Sequence, residues 1–167
     1  MYRILVPVDA SASALAGVRH AIRVATERGD AILLLVNAQP VFHRHIAQFV
    51  SRASLDALRE ERGRGALREA ERLAVAAQVP YRAFVVRGEP AAAVTAVATR
   101  EQADEIVLGT TPKSAWLRAL TGSLPARIVE RSPLPVALVP GPPATRLERW
   151  GIPAAGAGLA ALLLAAE

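Results

Sequence analysis

Five short apolar runs alternate along the chain with longer stretches whose apolar residues recur every three or four positions. Tyr2–Val8 reads as the first strand, and Ser11–Arg28 as a helix with Leu15, Val18, Ile22 and Ala25 on one face. Ser11 or Ser13 is placed to cap that helix, and Gly29 to close it. Ala31–Ala38 is a second, continuously apolar strand. Val41–Gln78 follows as a long helical segment in which Asp56, Glu60, Arg64 and Arg68 step by four along a solvated face. Gly63 and Gly65 are expected to weaken or interrupt it. Tyr81–Arg87 is a third strand, Glu89–Gln102 a helix with Pro90 in its first turn, and Glu105–Leu108 a fourth strand ending at Gly109. Gly122–Arg131 reads as a short helix and Pro135–Val139 as a fifth strand, whose flanking Pro133 and Pro135 suit a sheet edge.

Strands buried on both faces and separated by helices predict an α/β domain, an open, doubly wound, five-stranded parallel sheet with helices on both faces. This domain is expected over residues 1–140. Residues 141–167 form a separate stretch: Pro140-Gly141-Pro142-Pro143 reads as a linker, and Gly151–Ala166 as an apolar tail broken by Gly and Pro. A bilayer span takes about 20 apolar residues, so membrane contact by the tail is not expected. Packing or self-association is the expected use of it.

Composition changes this picture little. The chain has 167 residues, no cysteine, two Trp, two Tyr and three Phe, so the core must be built from Ala, Val, Leu and Ile. A thiolate metal site, a disulfide framework and a Cys nucleophile are excluded. The net charge of +5 comes from arginines spread between Arg3 and Arg149 and interleaved with Glu; Lys113 is the only lysine. Without a dense basic run or a stacking set of aromatics, nucleic acid is not an expected partner. No secretory pattern precedes Ile4–Val8, and the expectation is a cytoplasmic protein.

In a doubly wound sheet ligands bind beyond the carboxyl ends of the strands, where strand order reverses. That rule points to the loops after the first and fourth strands, around Asp9 and Gly109–Ser123. Gly109-Thr110-Thr111-Pro112-Lys113 is followed, after residue 121, by Gly122-Ser123 at the start of a helix. A glycine at a strand end lets backbone approach a ligand, and the open amides of a helix start attract anions. Ser123 and the Lys113 cation complete a candidate triphosphate cradle; a plain turn followed by a serine cap explains the same residues equally well. Asp9 is able to accept from an adenine amine or a ribose hydroxyl, or simply to cap the first helix.

Other motifs carry less. There is no Gly-Lys pair and hence no Walker A loop, and Gly156-Ala157-Gly158-Leu159-Ala160-Ala161 follows no strand. His43 and His45 lack a third ligand nearby and read as a solvated pair, so no metal site is assigned. Trp116 and Leu117 are expected to pack the loop over the sheet edge.

Ile4-Leu5-Val6-Pro7-Val8-Asp9-Ala10-Ser11 resembles the opening of universal stress proteins. Val107-Leu108-Gly109-Thr110, with Leu120-Thr121-Gly122-Ser123, resembles their nucleotide loop, and Arg127–Val136 their closing helix and strand. The resemblance implies a stress-response protein that binds ATP or another adenine nucleotide, with Mg2+ as its companion, and that forms a homodimer through strand 135–139. The base would fall on Pro7, Val8, Asp9 and the backbone of Val36. The phosphates would fall on Gly109, Pro112, Lys113, Gly122, Ser123 and the amide of Leu124. The family loop has a middle glycine where this chain has Pro112, which offers no amide hydrogen and fixes φ near −65°. Losing one bond to a charged group costs about 1.5–3 kcal/mol, about ten- to hundredfold in affinity. Weak binding is therefore expected, and a nucleotide-independent dimeric scaffold acting by protein contacts is the alternative. No paired carboxylates lie near the loop and no arginine is placed by a motif, so at most slow ATP hydrolysis is expected. A hydrolase or transferase of related fold would bring further domains for which this length leaves no room.

Overall fold

The computed structural model describes residues 1–39, 52–110 and 124–142. Within them the chain runs β1 (Tyr2–Pro7), α1 (Ala12–Arg28), β2 (Ala31–Gln39), α2 (Arg52–Ala76), β3 (Tyr81–Arg87), α3 (Pro90–Arg100), β4 (Glu105–Thr110), α4 (Leu124–Arg131) and β5 (Val136–Pro140). All strand pairs are parallel, in the order β3-β2-β1-β4-β5. The predicted α/β architecture is the one observed. The predicted strand and helix ends lie within two residues of those found, except at the start of α2, which borders the residues not described.

Side chains alternate across the sheet and so define two cores. Ile4, Val6, Leu33, Leu35 and Val107 face α1 and α2, meeting Val18, Ala21, Ala25, Leu67, Ala70 and Ala74. Leu5, Leu34, Val36, Ile106 and Leu108 face α3 and α4, meeting Ala91, Val94, Val97, Ala98 and Ile128. With so few aromatics, alanines bring the helix backbones close to the sheet, and each fully buried Val, Leu or Ile contributes about 1.5–3 kcal/mol.

Helix ends follow from local chemistry. The Ser11 hydroxyl accepts the Ala14 amide at 3.1 Å and caps α1. Gly29 ends α1 at φ 75°, a left-handed conformation in which its amide donates to the Ala25 carbonyl. Glu89, not a serine or threonine, caps α3.

The structure corrects one expectation: α2 runs unbroken through Gly63 and Gly65. Gly63 is buried where α2 crosses the sheet; a Cβ there would overlap the Val85 methyls and sit 3.2 Å from the Asn37 side-chain oxygen. Its missing side chain is thus a packing requirement. Gly65 is exposed, with nothing near its absent Cβ. No helix among the described residues is long and apolar enough to cross a membrane. The two glycines should respond oppositely to alanine. Gly65→Ala is expected to raise stability by about 0.5–1 kcal/mol through helix propensity. Gly63→Ala is expected to lower it by about 1–3 kcal/mol through overpacking against the stiff Val85. Urea denaturation of the two variants checks this.

Candidate functional site

Strand order reverses between β1 and β4, and the two strands are barely laced. Their register holds only Ile4 opposite Glu105 and Leu5 opposite Ile106, whereas β1 and β2 register along all six residues of β1. The registered pairing ends at Leu5 and Ile106, and a cleft of about 240 Å³ opens at the carboxyl ends of the two strands. Its floor is Pro7, Val8 and Asp9 after β1, Val36, Asn37 and Ala38 at the end of β2, and Leu108 with Gly109 on β4. Ser11 and Ala14 of the α1 start border one side, and Pro90, Val94, Leu124 and Pro125 from α3 and α4 the other.

Six of the sequence-predicted residues therefore meet in one place: Pro7, Val8, Asp9, Val36, Gly109 and Leu124. Pro112, Lys113, Gly122 and Ser123 lie outside the described residues, as do His43, His45, Trp116 and Leu117. Asp9 is exposed, and its Oδ1 accepts the Ser11 amide at 3.0 Å. It braces the turn into α1, while the capping role belongs to Ser11. Ala10 between them takes φ 65°, a strained value for a residue with a Cβ, held here by the bonds on either side. Val36 is wholly buried, and its carbonyl already accepts the Val8 amide at 2.8 Å. A ligand would find the second lone pair of that oxygen and the apolar side of β2.

Gly109 has a structural reason of its own. A Cβ there would overlap the Ser13 carbonyl, because the first turn of α1 lies directly on the end of β4. The spacing of glycines after the fourth strand thus records a helix–strand contact as well as an open backbone facing the cleft.

Sequence reasoning missed Asn37. It is 4% exposed, donates from Nδ2 to the Val8 carbonyl at 2.7 Å, and accepts from Gln39 Nε2 at 2.6 Å. It pins the chain leaving β1 to the end of β2, and so fixes the cleft floor. The available signal was an amide interrupting Leu33-Leu34-Leu35-Val36, since a buried amide must be bonded to be tolerated. Glu89 was also missed as an electrostatic centre. Its Oε1 and Oε2 accept the Ala91 and Ala92 amides, each at 3.0 Å, and pair with Arg127 at 2.8 Å and Arg131 at 2.6 Å. Those two amides, and then the two guanidiniums, hold its carboxyl below the usual carboxylate range.

Comparison with known proteins agrees with the fold. The model of the universal stress protein family matches residues 1–140. A universal stress protein of Methanocaldococcus jannaschii is 29% identical over 142 residues, covering 84% of this chain and 82% of that one. The crystal structure of a universal stress protein in complex with cAMP superposes with a TM-score of 0.65 at 28% identity, over 83% of this chain and 96% of the other. The universal stress protein UspA of Lactobacillus plantarum gives a TM-score of 0.67 at 25% identity, over 83% and 97%.

The lowered pKa of Glu89, held down first by the Ala91 and Ala92 amides, sets a pH dependence. A carboxyl held lower in the folded chain than in the unfolded one stabilises fully above the unfolded value, about 4.3, and stops doing so as pH falls through the folded value. The gap in denaturation midpoint between the natural chain and Glu89→Gln is expected to be widest near neutrality and to close in acid. Midpoints measured from pH 7 to pH 3 check this; a gap that stays constant contradicts it.

Proposed function

We propose that this chain, which belongs to the universal stress protein family, binds an adenine nucleotide in the cleft where β1 and β4 part. The observation that carries the reading is the convergence of an exposed carboxylate, Asp9, with apolar walls from Val36, Ala38, Pro90 and Val94. The walls suit the faces of a flat base, and the carboxylate suits an amine or sugar hydroxyl at its edge. Gly109 and the start of α4 at Leu124 form the side toward which phosphates would run, with Gly122, Ser123 and Lys113 as their further contacts. The cAMP held by the relative at 28% identity supports the same ligand class. ATP with Mg2+ is the proposed form of the ligand, and binding would govern a stress-linked, cytoplasmic role of residues 1–140.

Pro112 favours a second reading, a scaffold of the same fold that works without nucleotide. It withdraws one amide donor from the loop and stiffens it. Titration calorimetry separates the two. Saturable ATP or ADP binding is expected, lost or weakened in Asp9→Ala, Gly122→Val and Ser123→Ala, and tightened about ten- to hundredfold in Pro112→Gly. No binding at millimolar nucleotide by the natural chain, restored in Pro112→Gly, would establish the scaffold reading instead.

The proposed homodimer uses β5. It pairs with β4 along one edge, and its Leu138 is 40% exposed. Two such edges brought together would cover that side chain. Sedimentation equilibrium is expected to give the dimer mass for the natural chain and the monomer mass for Leu138→Arg. A natural chain that sediments as a monomer removes the dimer from the proposal.

A further inference from the structure

The wall of the cleft formed by Pro90, Val94, Leu124 and Pro125 belongs to two different helices. Any ligand there depends on how firmly the starts of α3 and α4 are held together. Apolar packing of α4 runs through Ile128, its one buried residue, and the partly buried Leu124. Among the described residues, Glu89 forms a polar link between the two helices. Glu89 spends both oxygens on the α3 amides and both again on Arg127 and Arg131, which lie four apart and so share a face of α4. Ionised partners make such bonds shorter and stronger than neutral ones.

This arrangement has two effects. The anion-attracting start of α3 is filled by a carboxylate of the protein itself and that of α1 by the Ser11 hydroxyl, while Leu124 and Pro125 of the first turn of α4 line the cleft. The same carboxylate bolts α4 to α3 by its two arginines and thereby sets where the Leu124 amide stands. We propose that Glu89, with Arg127 and Arg131, is a positioning group for the nucleotide cleft, holding α4 so that its first turn faces the ligand. The inference rests on the nucleotide reading above. It deepens that reading by assigning affinity to a charge cluster that does not itself line the cleft.

A helix cap alone would explain the Ala91 and Ala92 bonds, and three variants separate capping from positioning. Glu89→Asp keeps an excellent capping residue but shortens the reach to the arginines. Arg127→Gln with Arg131→Gln leaves the cap untouched, and Glu89→Gln removes the charge that both arginines need. Each is expected to weaken ATP binding about three- to tenfold in calorimetry. Combining Glu89→Gln with the two arginine changes should weaken it no further than either alone, because the three groups act as one unit. Glu89→Asp should meanwhile keep the thermal midpoint close to that of the natural chain. Folded Glu89→Asp and double-arginine variants that bind ATP like the natural chain, or losses that add independently, overturn the inference while leaving the nucleotide reading intact.

A natural chain that binds no ATP overturns the nucleotide reading first. Amide hydrogen exchange across residues 124–131 then decides the positioning claim. Exchange accelerated by the same factor in Glu89→Gln and in the double-arginine variant supports it, and unchanged exchange ends it.

Discussion

The first turn of α1 lies on the end of β4 with no side chain between them, and much of the molecule is arranged around that contact. A Cβ on Gly109 would overlap the Ser13 carbonyl, one on Gly17 would come within 2.8 Å of the Gly109 nitrogen, and one on Gly141 within 2.6 Å of the Ser13 Cα. Three glycines distant in sequence thus serve one point in space. Interiors are close-packed enough that a single methyl there has nowhere to go. The contact fixes the helix leaving β1 against the strand that begins the second half of the sheet. It does so at the place where the β1–β4 ladder has already stopped. The cleft opens where the short β1–β4 pairing ends and helix-on-strand packing continues the joint between the two halves.

What lines the cleft follows from the alternation of the strands. Val36 and Leu108 point to the α3 face, so the floor on that side is apolar, while Asp9 stands just beyond the end of β1 where no neighbouring strand covers it. Asn37 is the exception to the apolar floor. Its bond to the Val8 carbonyl extends the β1–β2 connection past the last registered pair, Pro7 with Val36. The Val8 amide already donates to the Val36 carbonyl, so Asn37 ties the other polar group of Val8 to the same strand end.

The layout of the fold was legible because parallel strands covered on both faces leave an unmistakable trace: Ile4–Val8, Ala31–Val36 and Ile106–Leu108 are apolar at every position. The site was legible only at its punctuation. Asp9 and Gly109 stand out at strand ends, but a sequence does not say which of two roles a cap-like residue takes, and here Ser11 took the cap. Gly63 was misread because propensity describes an isolated helix, whereas its neighbours Val85 and Asn37 come from strands far along the chain. Glu89 escaped for a related reason. Its significance lies in Arg127 and Arg131, some forty residues away, and nothing local announces that their charges meet.

These observations bear on how much a glycine-marked loop can say about a ligand. Gly109 would be needed by this fold even if nothing ever bound, because α1 demands the space. Its presence therefore weighs equally for a nucleotide site and for a bare scaffold. The discriminating features lie elsewhere in the cleft. Asp9 is exposed, and its Oδ1 accepts the Ser11 amide while its carboxylate stands at the cleft floor. Ala38 and Pro90, both only partly buried, line the cleft beside it above the buried Val36 and Val94. An exposed carboxylate next to an apolar-lined cleft, where the strands part, is the pairing on which the proposed nucleotide reading stands.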